Sequence, residues 1–162
     1  MRMPSNGSSP VSVSLEMNAP PAAVWGLVAD ITRMGDWSPE TESCKWLRGA
    51  DKAAVGAKFK GHNVNGRYSW DTVATVTDCE EGRSFAFESK SAGLAISRWE
   101  YTIHPTDTGC TVTETWTDQR GWLVGRLSPR VSGVADRATH NASTMQATLE
   151  RVAAAAEAST AP

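Results

Sequence analysis

The chain has no uninterrupted apolar run long enough to cross a bilayer. It has no cluster of Lys and Arg either: 16 basic and 18 acidic residues leave a net charge of -2. Nucleic acid and anionic membrane surfaces are therefore not expected as partners. Cysteine is scarce. Cys44, Cys79 and Cys110 make an odd count with no CxxC spacing, which argues for free, partly buried thiols rather than a disulfide framework or a zinc site. The histidines, His62, His104 and His140, lack metal-ligand spacing. No GxSxG, Walker or GxGxxG motif is present, so neither a metal nor a cofactor is expected. The opening MRMPSNGSSP lacks the apolar segment of a secretory signal, which makes the cytoplasm the default location.

What the chain has in excess is tryptophan: seven, against two tyrosines and three phenylalanines. Seven indoles in 162 residues need much apolar surface. A solid core holds them, or a hollow one with aromatic walls. The length predicts one domain. Residues 1–10 read as a flexible start, 11–157 as the domain and 158–162 as a frayed tail.

VSVSLEM, Val11 to Met17, alternates apolar and polar and predicts a half-buried strand. In PPAAVWGLV, Pro21 suits a first helical turn, and Val24, Trp25 and Val28 share its face. Asp30 is placed to cap a second short helix, Ile31 to Met34, with Gly35 ending it in the left-handed conformation. Trp37 follows in MGDWSPE, where it either packs in the core or rims a pocket. Thr41 to Trp46 is a short candidate strand. Ala57 to Cys79 holds two strands with a turn signal at Asn65-Gly66; Tyr68, Trp70, Thr72, Ala74 and Val76 share one face. SFAFES puts Phe85 and Phe87 on one face. LAISRWEYTIH carries Trp99, Tyr101 and Ile103 on its heavier face, and CTVTETWT carries Val112, Glu114 and Trp116 opposite threonines. Residues 119 to 132 read as a loop or broken helix, interrupted by Gly121, Gly125 and Pro129. From about Gly133 to Glu157 a helix shows a stripe of Ala138, Ala142, Met145, Leu149, Val152 and Ala156. One α+β domain follows, a long antiparallel sheet with one long C-terminal helix.

Glu114 is the sharpest candidate for chemistry. Val112 and Trp116 point inward, so Glu114 does too. It shares a face with Tyr101 if the intervening loop has an even number of residues, and HPTDTGC allows four: Pro105 to Thr108 or Thr106 to Gly109. Three readings stand: an ion pair with Arg67 or Arg98, a desolvated carboxyl of raised pKa acting as acid or base, or a carboxylate reaching solvent at the sheet edge. Asn63 shares a face with Phe59 and Gly61. It either orients a ligand or bonds its own turn. Trp25 and Trp46 read as core. Trp70, Trp99 and Trp116 are placed to line a cavity and Trp122 to cap it.

VSVSLEMNAPPAAVWGLVADITRMGDWSPE, FKGHNVNGRYSWDTVATVTDCEEGRSFAF, SRWEYTIHPTDTGCTVTETW and HNASTMQATLERV together resemble the START/Bet v 1-like (SRPBCC) superfamily, in its polyketide cyclase/dehydrase branch. The resemblance implies a helix-grip fold: a curved sheet of about seven strands around the long helix, with an apolar cavity between. The implied function is binding or carrying a hydrophobic, aromatic small molecule, such as a lipid or polyketide-like compound. A cyclase or dehydratase using the same cavity, with Glu114 as its one catalytic candidate, is the alternative. An interaction module with a filled cavity is the third. Expected lining comes from Phe59, Asn63 and Trp70, from Phe87, Trp99 and Tyr101, from Glu114, Trp116 and Trp122, and from Met145 and Leu149. A monomer or weak homodimer is expected.

Overall fold

The computed structural model describes residues 8–161. Residues 1–7 and 162, parts of the expected flexible start and frayed tail, lie outside them. Seven strands form one antiparallel sheet: β1 (Val11–Met17), β2 (Thr41–Trp46), β3 (Lys58–Asn65), β4 (Tyr68–Glu80), β5 (Ser84–Ser91), β6 (Leu94–Pro105) and β7 (Cys110–Asp118). Their order across the sheet is β1-β7-β6-β5-β4-β3-β2. Short hairpins join β3 through β7. The first strand returns to pair with the last, Val13 opposite Glu114, so the chain's earliest strand closes one edge. Pairing slips at Thr41/Ser43, Val76/Asp78 and Ser89/Lys90. Such bulges bend strands and increase twist, and they help the sheet wrap around its helix.

Four helices complete the fold: α1 (Pro21–Val28), α2 (Met34–Trp37), α3 (Trp122–Ser132) and α4 (Arg137–Thr160). Pro20 and Pro21 start α1 as expected, with Val24 and Val28 buried. The Asp30 side chain accepts from the Thr32 N–H at the head of a 3-10 turn, Ile31–Arg33. Gly35 does not end that turn. It lies inside α2, and glycine is required there for close approach: a Cβ would sit 2.3 Å from the Glu42 carbonyl oxygen of β2. Trp37 is 6% exposed and belongs to the core. The Arg33 guanidinium lies 4.7 Å from its ring centre, and Arg151 of α4 donates to its carbonyl at 3.0 Å.

From Trp122 on, the segment read as a loop or broken helix is the continuous helix α3, with Pro129 inside it. Distant contacts hold it. Asn65 Nδ2 donates to the Ser132 carbonyl at 2.8 Å, and Gly133, at φ +71°, ends the helix against the Tyr68 ring. Gly133 therefore closes α3 and does not open α4. Asp136 caps α4 by accepting from the Thr139 N–H at 3.1 Å. The helix runs through Ala158 to Thr160, residues the sequence reading assigned to the frayed tail.

Along α4 the interior changes character. Leu149, Val152 and Ala156 are buried in one solid core with Val112, Ile103, Phe85 and Val76. Nearer the N-terminus the helix turns Asn141, Met145 and Thr148 toward the sheet instead. There the core opens.

Candidate ligand cavity

Between the N-terminal half of α4 and the curved sheet lies a cavity of about 340 Å³. Strands β3 to β7 contribute their inward side chains by alternation. Phe59, Gly61 and Asn63 come from β3, Trp70, Thr72 and Ala74 from β4, and Phe87 and Ser89 from β5. Trp99 and Tyr101 come from β6, Glu114 and Trp116 from β7. The floor is set where the next residue on each strand joins the solid core: Val76, Phe85, Ile103 and Val112. Phe59 and Phe87 meet edge to face, ring centres 5.0 Å apart. Val124, Leu127 and Val131 of α3 add apolar lining from outside the sheet.

Nine of the eleven lining residues expected from the sequence line this cavity. Two do not. Leu149 lies below the floor, fully buried in the solid core, and Trp122 is 60% exposed at the head of α3. Among the lining residues missed are polar ones of α4, Asn141, Thr144 and Thr148, and the apolar ones of α3, Val124, Leu127 and Val131. Asn141 and Thr148 stand four before and three after Met145, so they share its face. Being polar, they fall outside the apolar stripe that marks this face in the sequence.

Glu114 is 3% exposed. Tyr101 lies directly opposite it on β6, after a four-residue loop, Thr106 to Gly109. The Tyr101 hydroxyl donates to Glu114 Oε1 at 2.8 Å, and Oε2 has no partner. Neither arginine considered for an ion pair is near: Arg98 pairs with Glu100 on the outer face, and Arg67 lies over the Tyr68 ring. Nor does the carboxyl reach solvent. Burial pushes its pKa up to about 8, and the tyrosine hydrogen bond opposes the rise only in part. At neutral pH it is mostly a carboxylic acid. Burial likewise pushes Tyr101 well above 10, and the Glu114 carboxyl adds to the rise. Cys44, also in the wall, is pushed up to about 12 by burial and is no nucleophile at neutral pH.

Ion pairs organise the cavity's rim. Arg137 donates to both oxygens of Glu40, at 2.7 and 2.9 Å, and lies over the Trp70 ring. His140 meets Glu40 Oε2, in the segment before β2, at 2.7 Å. Arg120 grips Asp118 through two contacts, at 2.8 and 2.7 Å. Asn63 accepts from Thr41 Oγ1 at 3.0 Å, so it neither bonds its own turn nor stands free. Among the described residues no three His, Cys, Asp or Glu side chains gather as metal ligands do.

Residues 10–157 match the family model for polyketide cyclase / dehydrase and lipid transport proteins. The chain belongs to that family. Its fold is shared by a solved structure from Chromobacterium violaceum, at 16% identity and a TM-score of 0.69, covering 93% of this chain and 99% of that one. A polyketide-cyclase-like protein of Corynebacterium glutamicum is 27% identical over 90% of this chain and 87% of its own, with a TM-score of 0.57. The di-domain ARO/CYC StfQ of the steffimycin biosynthetic pathway is 11% identical with a TM-score of 0.71; this chain covers 50% of it. No curated protein sequence matches the chain. For this polyketide cyclase/dehydrase family member, the helix-grip fold and the cavity beneath its helix are of one piece. Inward alternation along β3 to β7 and the face of α4 that carries Asn141, Met145 and Thr148 build the cavity's wall.

Proposed function

We propose that the protein binds and carries a hydrophobic, aromatic small molecule, a lipid or polyketide-like compound, inside this cavity, as a monomer or weak homodimer. One observation carries the reading: the tryptophans do not fill the interior. A void of about 340 Å³ remains between Trp70, Trp99, Trp116 and α4, within the range of small-molecule pockets (about 300–1,000 Å³). The same void counts against an interaction module with a filled interior. Thr148 faces the cavity and is 5% exposed. Thr148→Trp is expected to occupy the space. Native mass spectrometry of protein purified from its host should find a small molecule on the wild type and none on that variant, with circular dichroism unchanged. Equal ligand on both proteins counts against the cavity as the binding place.

A second reading, a cyclase- or dehydratase-like enzyme, is favoured by one feature. Glu114 keeps its proton to about pH 8 and faces the cavity, as a general acid must. Glu114→Gln cannot transfer that proton. Full turnover by this variant on any substrate found would remove Glu114 from the chemistry.

A further inference from the structure

Three buried side-chain polar atoms lack a hydrogen-bond partner among the described residues: Trp37 Nε1, Glu114 Oε2 and Asn141 Nδ2. Trp37 lies in the solid core. The other two belong to residues on the cavity wall, Glu114 from the sheet and Asn141 from α4, at 3% and 2% exposure. Native proteins satisfy buried polar atoms, because each one left unmet costs about 1–3 kcal/mol. The neighbouring polar groups are already engaged. Ser89 and Ser97 bond each other at 2.8 Å. Thr144 and Thr148 donate to carbonyls of their own helix, and Asn63 is held by Thr41.

Both free atoms are donors. Glu114 Oε1 already accepts the tyrosine proton, so the acid's own proton sits on Oε2. Asn141 Oδ1 faces Arg137 Nη1 at 3.5 Å; since guanidinium only donates, this leaves the amide N–H₂ turned elsewhere. From this geometry we infer that the ligand is a neutral aromatic molecule bearing hydrogen-bond acceptors, such as an aryl ketone or quinone, held by Glu114 and Asn141 as paired donors. The inference rests on the ligand-binding reading above. It makes those two residues the determinants of polar specificity. An ammonium ligand would gain nothing from the Asn141 amide. A carboxylate ligand would bury a charge, and the rim cations, Arg120 and Arg137, are bound to Asp118 and Glu40.

The groups facing Glu114 are Tyr101 on β6 and, across the cavity, Cys44 on β2, both proton-bearing at neutral pH. Glu40, Arg137 and Arg120 stand at the rim in their ion pairs. Ionisation of Glu114 near pH 8 therefore replaces one of the two donors with an acceptor.

Three probes of one shape test the inference: fluorene, 9-fluorenone and 9-aminofluorene, titrated calorimetrically into the full chain. The expected result at pH 6.5 is 9-fluorenone binding about tenfold more tightly than fluorene, as one good hydrogen bond provides. The preference should shrink at pH 9.5 and vanish in Glu114→Leu/Asn141→Leu, which still binds fluorene. That doubly substituted protein controls for the chemistry; the wild-type comparison of fluorene with 9-fluorenone needs no variant to fold. Equal wild-type affinity for those two overturns the donor pair while leaving the apolar cavity reading in place. Tightest binding of 9-aminofluorene overturns it in favour of an anionic Glu114. Binding of none of the three overturns both readings together.

Discussion

Glu114→Gln should make the protein more stable above pH 8, by roughly 4 kcal/mol, while changing little near pH 4.5. The sign follows from where the proton binds more tightly. In the unfolded chain this carboxyl titrates near 4.5; in the native state burial holds it at about 8. Between those values the native state binds a proton that the unfolded state has released. Stability contributed by the neutral acid is therefore complete below pH 4.5, declines as pH rises and is lost above about 8. Glutamine has no proton to lose. It keeps an acceptor for the Tyr101 hydroxyl and places an N–H donor where the acid had O–H. Urea denaturation of both proteins at pH 5, 7 and 9 checks this, since the comparison at each pH cancels the other titrating groups. A constant difference across the series would mean that Glu114 ionises as an ordinary carboxyl.

The loss is the cost of holding an unpaired acid in an aromatic cavity. A buried arginine would have removed it, yet Arg98 and Arg67 are both spent outside. The chain gives Glu114 a tyrosine instead, a partner that binds one oxygen and leaves the carboxyl able to keep its proton. The arrangement retains a neutral donor among indoles, at the floor where hollow gives way to solid core. Both functional readings draw on it, as a binding group in the first and as a proton source in the second.

That floor was partly legible in the sequence. Strict alternation in β6 and β7 put Tyr101 and Glu114 on the inner face, and the even-numbered loop put them opposite one another. Alternation has a period of two and survives without tertiary information. The helices were less legible because their ends are decided by distant contacts. Gly125 and Pro129 read as breakers, but α3 is held by Asn65 and Tyr68 from the other side of the fold. Gly35 read as a helix terminator because nothing local reveals the Glu42 carbonyl above it. Leu149 and Met145 belong to one stripe, and only the depth of the sheet beneath them separates core from cavity wall. The orphaned amide of Asn141 carried no signal at all, since its meaning lies in what it does not touch.

Gly109→Ala is the second large effect expected, a loss of at least about 3 kcal/mol. Gly109 ends the four-residue loop between β6 and β7, beside the place where β1 hands over to α1. A Cβ there would stand 2.0 Å from the Met17 carbonyl oxygen, 2.8 Å from the Ala19 amide nitrogen and 3.0 Å from its carbonyl oxygen. All three obstacles are backbone, so no rotamer change relieves them. The shift must pass into the pairing of Met17 with Cys110, which closes the sheet's edge, and into the start of α1. In a domain of this size each kcal/mol moves the melting temperature by about 2–4 °C, so a drop on the order of 10 °C is expected by calorimetry. Gly26→Ala supplies the contrast. It lies inside α1 with nothing within 4 Å of its missing Cβ, and alanine there should stabilise by about 0.5–1 kcal/mol. If the two variants melted alike, helix propensity and not the backbone crossing would govern these glycines, and the tight seam between β1 and β7 would have to yield more readily than its geometry implies.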